Sequence, residues 1–364
     1  MDSVHTLVFW QPIASPHQEA FLEAVARRFP GVVLLGVERS LPPEREAQGW
    51  RTARQTQVRV VELGRPGVRA DLESLDGHDA VHVFSGFFSH PLVWAGFRRL
   101  AGSRAHCVIY SEAPEQPPAT GWLKRLRGRL LVTRWARRIA CVLAIGGVGC
   151  EFFARVGVPG DKIIPFGYYL DVPPLTPPPF PGTVAAPVRF VVAGQLIPRK
   201  GVDLLLDACA GLPAAGWSLE IYGSGPELGR LVQRTDRLRL ADRVRFHGVV
   251  PQDALRAILA AADCAVVPSR FEGWGMVVSE ALGAGTPVIC TERCGAAALV
   301  NSVGDGMRVV TADVRGLAGA LAASLAHGRP RPEERLRIRD AMAASASADV
   351  AAERFLVQVA ALHG

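Results

Sequence analysis

Four things are missing from this chain: a Cys-x-x-Cys pair, an Asp-x-Asp triplet, an internal repeat and an apolar run long enough to span a bilayer. The seven cysteines (107, 141, 150, 209, 264, 290 and 294) are odd in number and sit mostly in apolar runs. That is the pattern of core thiols in a reducing compartment, and it excludes a disulfide scaffold or a zinc ribbon. Cys290 and Cys294, the closest pair, read as two incidental thiols near a strand end. The first residues, Met1-Asp2-Ser3-Val4-His5, lack the basic region of a signal peptide. The longest charge-free stretch, Ala80 to Phe97, is broken by His82, Ser85, Gly86, Ser89, His90 and Pro91, so it is no transmembrane helix. A cytoplasmic protein is expected. Zinc-finger spacing, an RNA-binding aromatic signature and a lysine-rich tail are also missing. The net charge of +7 and pI near 9.3 therefore favour nucleotides or membrane phospholipids over nucleic acid.

At 364 residues and 49% hydrophobic content the chain is long enough for two domains. Short apolar strands alternate with amphipathic helices: Thr6–Trp10, Val32–Gly36, Ala80–Phe84, Ala105–Tyr110 and Val142–Ile145 are the expected strands of a first half. Ser15-Pro16-His17-Gln18 predicts a helix start, with serine as N-cap, proline at the first position and glutamine at the third. Asp171 to Pro187 holds seven prolines and reads as a linker, since proline at that density forms neither helix nor central strand. A second series follows: Val188–Ala193, Ser218–Tyr222, Val244–Phe246, Cys264–Val267 and Val288–Ile289. Ala346 to Leu362 reads as a final helix. Such alternation predicts an α/β chain with two doubly wound parallel sheets, at residues 1–176 and 177–345, facing across a ligand cleft, and a C-terminal helix at 346–364.

The most chemical stretch is Pro268-Ser269-Arg270-Phe271-Glu272-Gly273-Trp274-Gly275-Met276-Val277-Val278-Ser279-Glu280. Glu272 falls on the turn between the strand ending at Val267 and the helix from Met276, and Glu280 about two helical turns further on. Between them lies a helix N-terminus, where free N–H groups and the dipole stabilise a phosphate. A carboxylate on each side of a phosphate site suits a sugar–diphosphate–nucleoside, which carries vicinal hydroxyls at both ends. Gly194-Gln195-Leu196-Ile197-Pro198-Arg199-Lys200-Gly201 follows the first strand of the second half, where a parallel sheet opens to its ligand. Arg199 and Lys200 there can neutralise a diphosphate as charge collects on a leaving group. Gly223-Ser224-Gly225-Pro226-Glu227-Leu228-Gly229 is one residue off the dinucleotide fingerprint and reads as a tight turn near the nucleotide. A glycoside hydrolase would set its two carboxylates ~5–9 Å apart; the two-turn offset is too long for that.

These residues resemble the retaining nucleotide-sugar glycosyltransferases of family 4, which have the two-domain GT-B fold. The likeness rests on Glu-x7-Glu within Pro-Ser-x-x-Glu-Gly-x-Gly and on Gly-Thr-Pro-Val at 285–288. It extends to Gly194…Arg199-Lys200-Gly201, Gly223-Ser224-Gly225-Pro226, Val244 to Val250 and Lys162 to Asp171. Gln195 stands where arginine is frequent, Trp274 where phenylalanine is usual, and the loop Gln11 to His17 lacks paired glycines. The resemblance implies an acceptor-binding first domain, a nucleotide-sugar-binding second domain and a final helix that packs back on the first. By the same likeness, Glu280 binds a ribose diol, Glu272 and the amides of Gly275, Met276 and Val277 hold the donor sugar, and Arg199 and Lys200 clamp the diphosphate. Glu272, Arg199 and Lys200 are then the catalytic set, with Gly223, Gly225 and Val249 completing the donor side; His17, Ser111 and Glu112 are acceptor-side candidates. The implied activity is a retaining hexosyltransferase that needs no metal or other cofactor. It would move sugar from a nucleotide-sugar donor, UDP-sugar favoured, to a hydroxyl in bacterial surface polysaccharide or glycolipid assembly. A soluble natural-product acceptor, or a non-catalytic or sugar-nucleotide-isomerising protein on the same fold, are the alternatives.

Trp122 to Ile139 carries seven basic residues (124, 125, 127, 129, 134, 137 and 138) and no acidic ones. Apolar residues recur at 123, 126, 130, 131, 135 and 139 with helical spacing. Two readings stand: a basic amphipathic helix on an anionic membrane surface, or a helix whose apolar stripe packs on the sheet with Gly128 as an interruption.

Overall fold

A computed structural model describes residues 4–46, 56–85, 90–115, 120–172, 187–304 and 307–362. The described residues fall into two compact units, one built on residues up to 43, 51–169 and 348 onward, the other on Leu170–Ser347. Most of the proline-rich segment, 173–186, including the expected boundary at 176/177, lies outside the described residues.

In the first unit, strands β1 (Thr6–Gln11), β2 (Val32–Val37), β3 (Arg59–Glu62), β4 (Ala80–Ser85), β5 (His106–Glu112), β6 (Ile139–Ile145) and β7 (Ile163–Phe166) form one sheet in the order β3-β2-β1-β4-β5-β6-β7. All its pairings are parallel. Helices cover both faces, so the central strands read as unbroken apolar runs; every residue of β4 is buried. One strand of this sheet, β3, escapes the sequence reading. β3 is a largely exposed edge with only two apolar residues, and Ile163–Phe166 was reached through family likeness alone. Helix Pro16–Arg28 starts at Ser15, whose Oγ accepts the His17 amide at 3.3 Å. Gln18 makes no capping box: its side chain is buried and bonded to Gln11 instead. The C-terminal helix, Ala348–Ala361, lies on the same unit. Phe355 meets Phe9 and Phe21 at ring-centroid distances of 5.6 and 5.7 Å, and Asp349 pairs with Arg27 and Arg28. Full burial of a phenylalanine contributes about 2 kcal/mol.

The second unit repeats the plan with β8 (Val188–Ala193), β9 (Trp217–Tyr222), β10 (Val244–Gly248), β11 (Cys264–Val267), β12 (Val288–Thr291) and β13 (Arg308–Val310), in the order β10-β9-β8-β11-β12-β13. Phe190, Leu205, Leu219, Ile221, Val266 and Leu321 anchor its core. The chain winds outward from β8 in one direction and from β11 in the other. β8 and β11 lie side by side, Phe190 beside Cys264 and Val191 beside Ala265. That seam is the topological switch point, and the crevice beyond its carboxyl ends is where such sheets take ligands.

Candidate functional site

The loops leaving β8 and β11 both open at that switch point, and the β8 loop is fitted backbone to backbone against the turn after β9 on one side and the β11 loop on the other. Gly194 donates to Tyr222 O at 3.0 Å, Leu196 to Ser224 O at 2.8 Å and Arg270 to Arg199 O at 2.8 Å. Glycine is required at two of these approaches. Gly201 turns with φ +67°, and a Cβ there would stand 2.1 Å from Pro268 O; a Cβ on Gly223, at φ +132°, would stand 1.9 Å from Gly194 O. At Gly225 a Cβ would lie 2.4 Å from Leu196 O. The Gly-x-Gly turn is therefore a packing device that seats the loop after β8, and Val249, 39% exposed, sits just past β10 on the same side of the sheet.

The 3-10 turn Pro198–Lys200 delivers two cations to one carboxylate. Lys200 Nζ is ion-paired with Glu272 Oε2, Arg199 Nη1 stands 3.6 Å from the same oxygen, and Ser269 Oγ donates to it at 3.3 Å. Arg199 also donates to Phe271 O at 2.8 Å. All three charged side chains are mostly shielded, at 23%, 20% and 13% exposure, so the attraction is little screened. Helix Met276–Gly283 begins immediately beyond. Its leading residue is Gly275 at φ +97°, where a Cβ would fall 2.7 Å from Cys294 Sγ; no side chain caps the helix. The first-turn amides of Met276 and Val277 thus have no side-chain cap, the feature that lets a helix N-terminus take an anion. Glu280, on the same helix, is 9% exposed. Burial pushes its carboxyl above the usual range, opposed by the bond from Gln252 Nε2 to Oε1 at 3.3 Å and by the charge of Arg256.

Residues 183–342 match the family model of glycosyl transferases group 1. Over that stretch, which lies mostly in the second unit, the chain is similar to that family. It is 36% identical over 128 residues to the lipopolysaccharide core biosynthesis glycosyltransferase LpsE of Rhizobium meliloti, which is 35% of this chain and 36% of that protein. It is 34% identical over 140 residues to a glycogen synthase of Mycobacterium tuberculosis, 37% of this chain and 33% of the relative. The match thus spans about a third of these relatives' length. Over 98% of this chain and 100% of its counterpart, the fold superposes on Anabaena Alr3699/HepE, solved in complex with UDP, with a TM-score of 0.72 at 16% identity.

Within the second unit, sequence reasoning overlooked a second ion pair that ties the two loops. Arg270 donates to Asp203 Oδ1 and Oδ2 at 2.7 and 2.6 Å and to Pro198 O at 2.8 Å. Burial alone would raise the Asp203 carboxyl, but the bonds and charge from Arg270 outweigh it and hold it below its usual range. An arginine two residues before Glu272 was the available signal. Trp274 is core: it is 7% exposed and its indole donates to Ser279 Oγ at 2.9 Å. Cys290 and Cys294 are both buried, and Cys294 donates to Trp274 O at 3.0 Å.

In the first unit the structure brings two of the three acceptor-side candidates to one group. Glu112, at the end of β5, is hydrogen-bonded to Tyr168, and the His17 ring lies 6.5 Å from the Tyr168 ring. Tyr168 also bonds Gln18, and burial, followed by the Glu112 charge, drives its phenol well above the ordinary range. Tyr168 and Gln18 were not singled out as site residues, because neither carries a charge or stands in a motif of its own. Ser111 turns its hydroxyl to Glu112 O at 3.1 Å. His82 is no part of any site: it is fully buried, accepts from Trp10 Nε1 at 3.0 Å and contacts Leu75 O at 2.7 Å, and burial lowers its pKa to about 4.

Proposed function

We propose that the chain is a retaining, metal-independent glycosyltransferase that takes a nucleotide sugar, a UDP-sugar by preference, and transfers its hexose to a hydroxyl of a glycan or glycolipid acceptor. The single observation that carries this is the convergence of Arg199, Lys200, Glu272 and an uncapped helix N-terminus at the switch point, with Glu280 on the same helix. Arg199 and Lys200 hold Glu272 in the free protein. When a diphosphate enters, its oxygens replace the carboxylate as partner of both cations, and the Met276 and Val277 amides complete the cradle. Glu272, released, accepts hydroxyl protons of the donor sugar. Glu280 accepts from the two ribose hydroxyls. The cations act most strongly as negative charge grows on the departing diphosphate, which lowers the barrier rather than tightening the ground state. Two fixed cations meet the electrostatic need that a divalent ion would otherwise serve. The departing phosphate oxygen takes the acceptor proton on the face it leaves, so the sugar keeps its anomeric configuration and no enzymic base is needed.

UDP is favoured because the superposable Anabaena protein is described in complex with UDP. A surface-glycan or glycolipid acceptor at the inner face of a membrane is favoured because LpsE is named for lipopolysaccharide core biosynthesis. Among the described residues no helix is long and apolar enough to cross a membrane; the reading is of peripheral attachment to that face. A thermal-shift screen of UDP-, GDP- and dTDP-sugars identifies the donor. Transfer to extracted glycolipids in EDTA, with the product's anomeric configuration read by proton NMR, tests the chemistry. An inverted product, or transfer only after Mg²⁺ or Mn²⁺ is added, overturns this reading.

A further inference from the structure

The helix Gly121–Trp135 sits in the first unit the wrong way round for a core helix. Its buried residues are Gly121, Gly128 and Val132, and Gly128 does not break it. A Cβ on Gly128 would come within 3.0 Å of Val156 Cγ1 and 3.3 Å of Phe152 Cζ, so the helix lies with its backbone close against helix Gly146–Arg155. Three of the six apolar positions of its stripe, Leu123, Leu126 and Leu130, face outward. Trp122 is 54% exposed, Leu123 48%, Leu126 48% and Leu130 63%. At roughly 100° per residue these four share about 100° of arc, opposite the roughly 40° that holds Gly121, Gly128 and Val132. Arg127 and Arg134 flank one side of this apolar arc and Arg129 the other, all exposed, and no acidic residue occurs between Glu115 and Glu151. Trp135 joins this helix to Pro91–Leu100 through Trp94, edge to face at 6.4 Å, and that helix adds exposed Arg98.

We propose that this outward face binds an anionic phospholipid bilayer, with Trp122, Leu123, Leu126 and Leu130 entering the acyl boundary and the flanking arginines meeting lipid phosphates. An exposed apolar arc bordered only by cations is complementary to a surface that is apolar inside and anionic outside. A purely electrostatic contact would need no leucines there, and a buried helix would not turn them outward. The proposal rests on the membrane-acceptor reading for its purpose alone. Vesicle binding is measured without nucleotide or acceptor, so its failure leaves the transfer chemistry standing.

The test is sedimentation of the full chain with sucrose-loaded vesicles of phosphatidylglycerol and phosphatidylcholine, or of phosphatidylcholine alone, at low and high salt. Intrinsic fluorescence in vesicles with brominated acyl chains accompanies it. Wild type is expected to prefer the anionic vesicles by about tenfold or more and to lose fluorescence to the brominated chains, a loss that Trp122→Phe diminishes. Leu126→Ser with Leu130→Ser, both at exposed positions, is expected to cut partitioning by about tenfold or more with an unchanged melting temperature. Arg129→Gln with Arg134→Gln should weaken binding at low salt only. Indifference of the wild type to anionic vesicles overturns the proposal, as does a leucine variant that binds as tightly as wild type. So does a lipid-free dimer, seen by sedimentation velocity, that the leucine variant dissolves, since a second copy would then cover this face.

Discussion

Glu280→Gln separates a functional carboxylate from a structural one. Glu280 is 9% exposed and keeps one weak hydrogen bond, from Gln252 at 3.3 Å, with Arg256 nearby. Burial raises its pKa above 4.5, so the folded chain holds this proton to higher pH than the unfolded chain. Its contribution to stability is therefore greatest below pH 4.5 and declines as pH rises through the folded pKa, leaving a penalty at neutral pH. Glutamine cannot ionise and removes that penalty. The free protein should melt at the same or a higher temperature as Glu280→Gln, measured at pH 7. Nucleotide binding should move the opposite way. Exchanging a charged acceptor for a neutral amide at the ribose loses about 1–2 kcal/mol, roughly tenfold in Kd. Titration calorimetry with UDP, together with differential scanning of the free variant, reads both quantities. A variant that melts lower and binds UDP as before would refute the reasoning, because Glu280 would then be holding the helix and not the ligand.

Lys200→Ala should leave donor binding weakened but present and lower kcat by at least about a hundredfold, as for loss of a group acting on the departing charge; steady-state kinetics with the donor held saturating checks it. Gly201→Ala should destabilise the second unit by about 1–3 kcal/mol, because its φ of +67° and the 2.1 Å approach to Pro268 O leave no room for a methyl; urea unfolding measures the loss. His82 stays neutral when folded, with its pKa lowered from 6.5 to about 4, so the unfolded chain binds the extra proton between those values. Stability should fall by roughly 3 kcal/mol as pH drops from about 6.5 to about 4, and the slope should flatten in His82→Leu, followed by melting temperature against pH.

The fold class was legible because the central strands of both sheets are buried on both faces and so appear as short, dense apolar runs. β8 and β11 match their expected bounds to the residue. The lost strands, β3 and β13, are short edges with two apolar residues each, none of them fully buried; nothing in such a segment sets it apart from a loop. On the donor side, Glu272, Arg199 and Lys200 were legible as residues, but not their mutual ion pair. That pairing depends on Gly201 approaching Pro268 across 67 residues of sequence, as does the unforeseen Arg270–Asp203 bridge. The helix at 121–135 was legible as a helix and as basic. Its rotation was not, because spacing identifies an apolar stripe without saying which way it faces; Gly128, read as an interruption, was the residue that decided it.

The central claim is that the switch point of the second unit is built for a nucleoside diphosphate, held at phosphate by Arg199 and Lys200. Titration calorimetry of UDP, GDP, ADP and dTDP, each against its own nucleoside, in EDTA, tests it most directly. At least one diphosphate should bind about tenfold or more tightly than its nucleoside, with the gap largely closed in a variant carrying Arg199→Ala and Lys200→Ala. If no diphosphate outbinds its nucleoside, or if the gap survives loss of both cations, the account of this site is wrong.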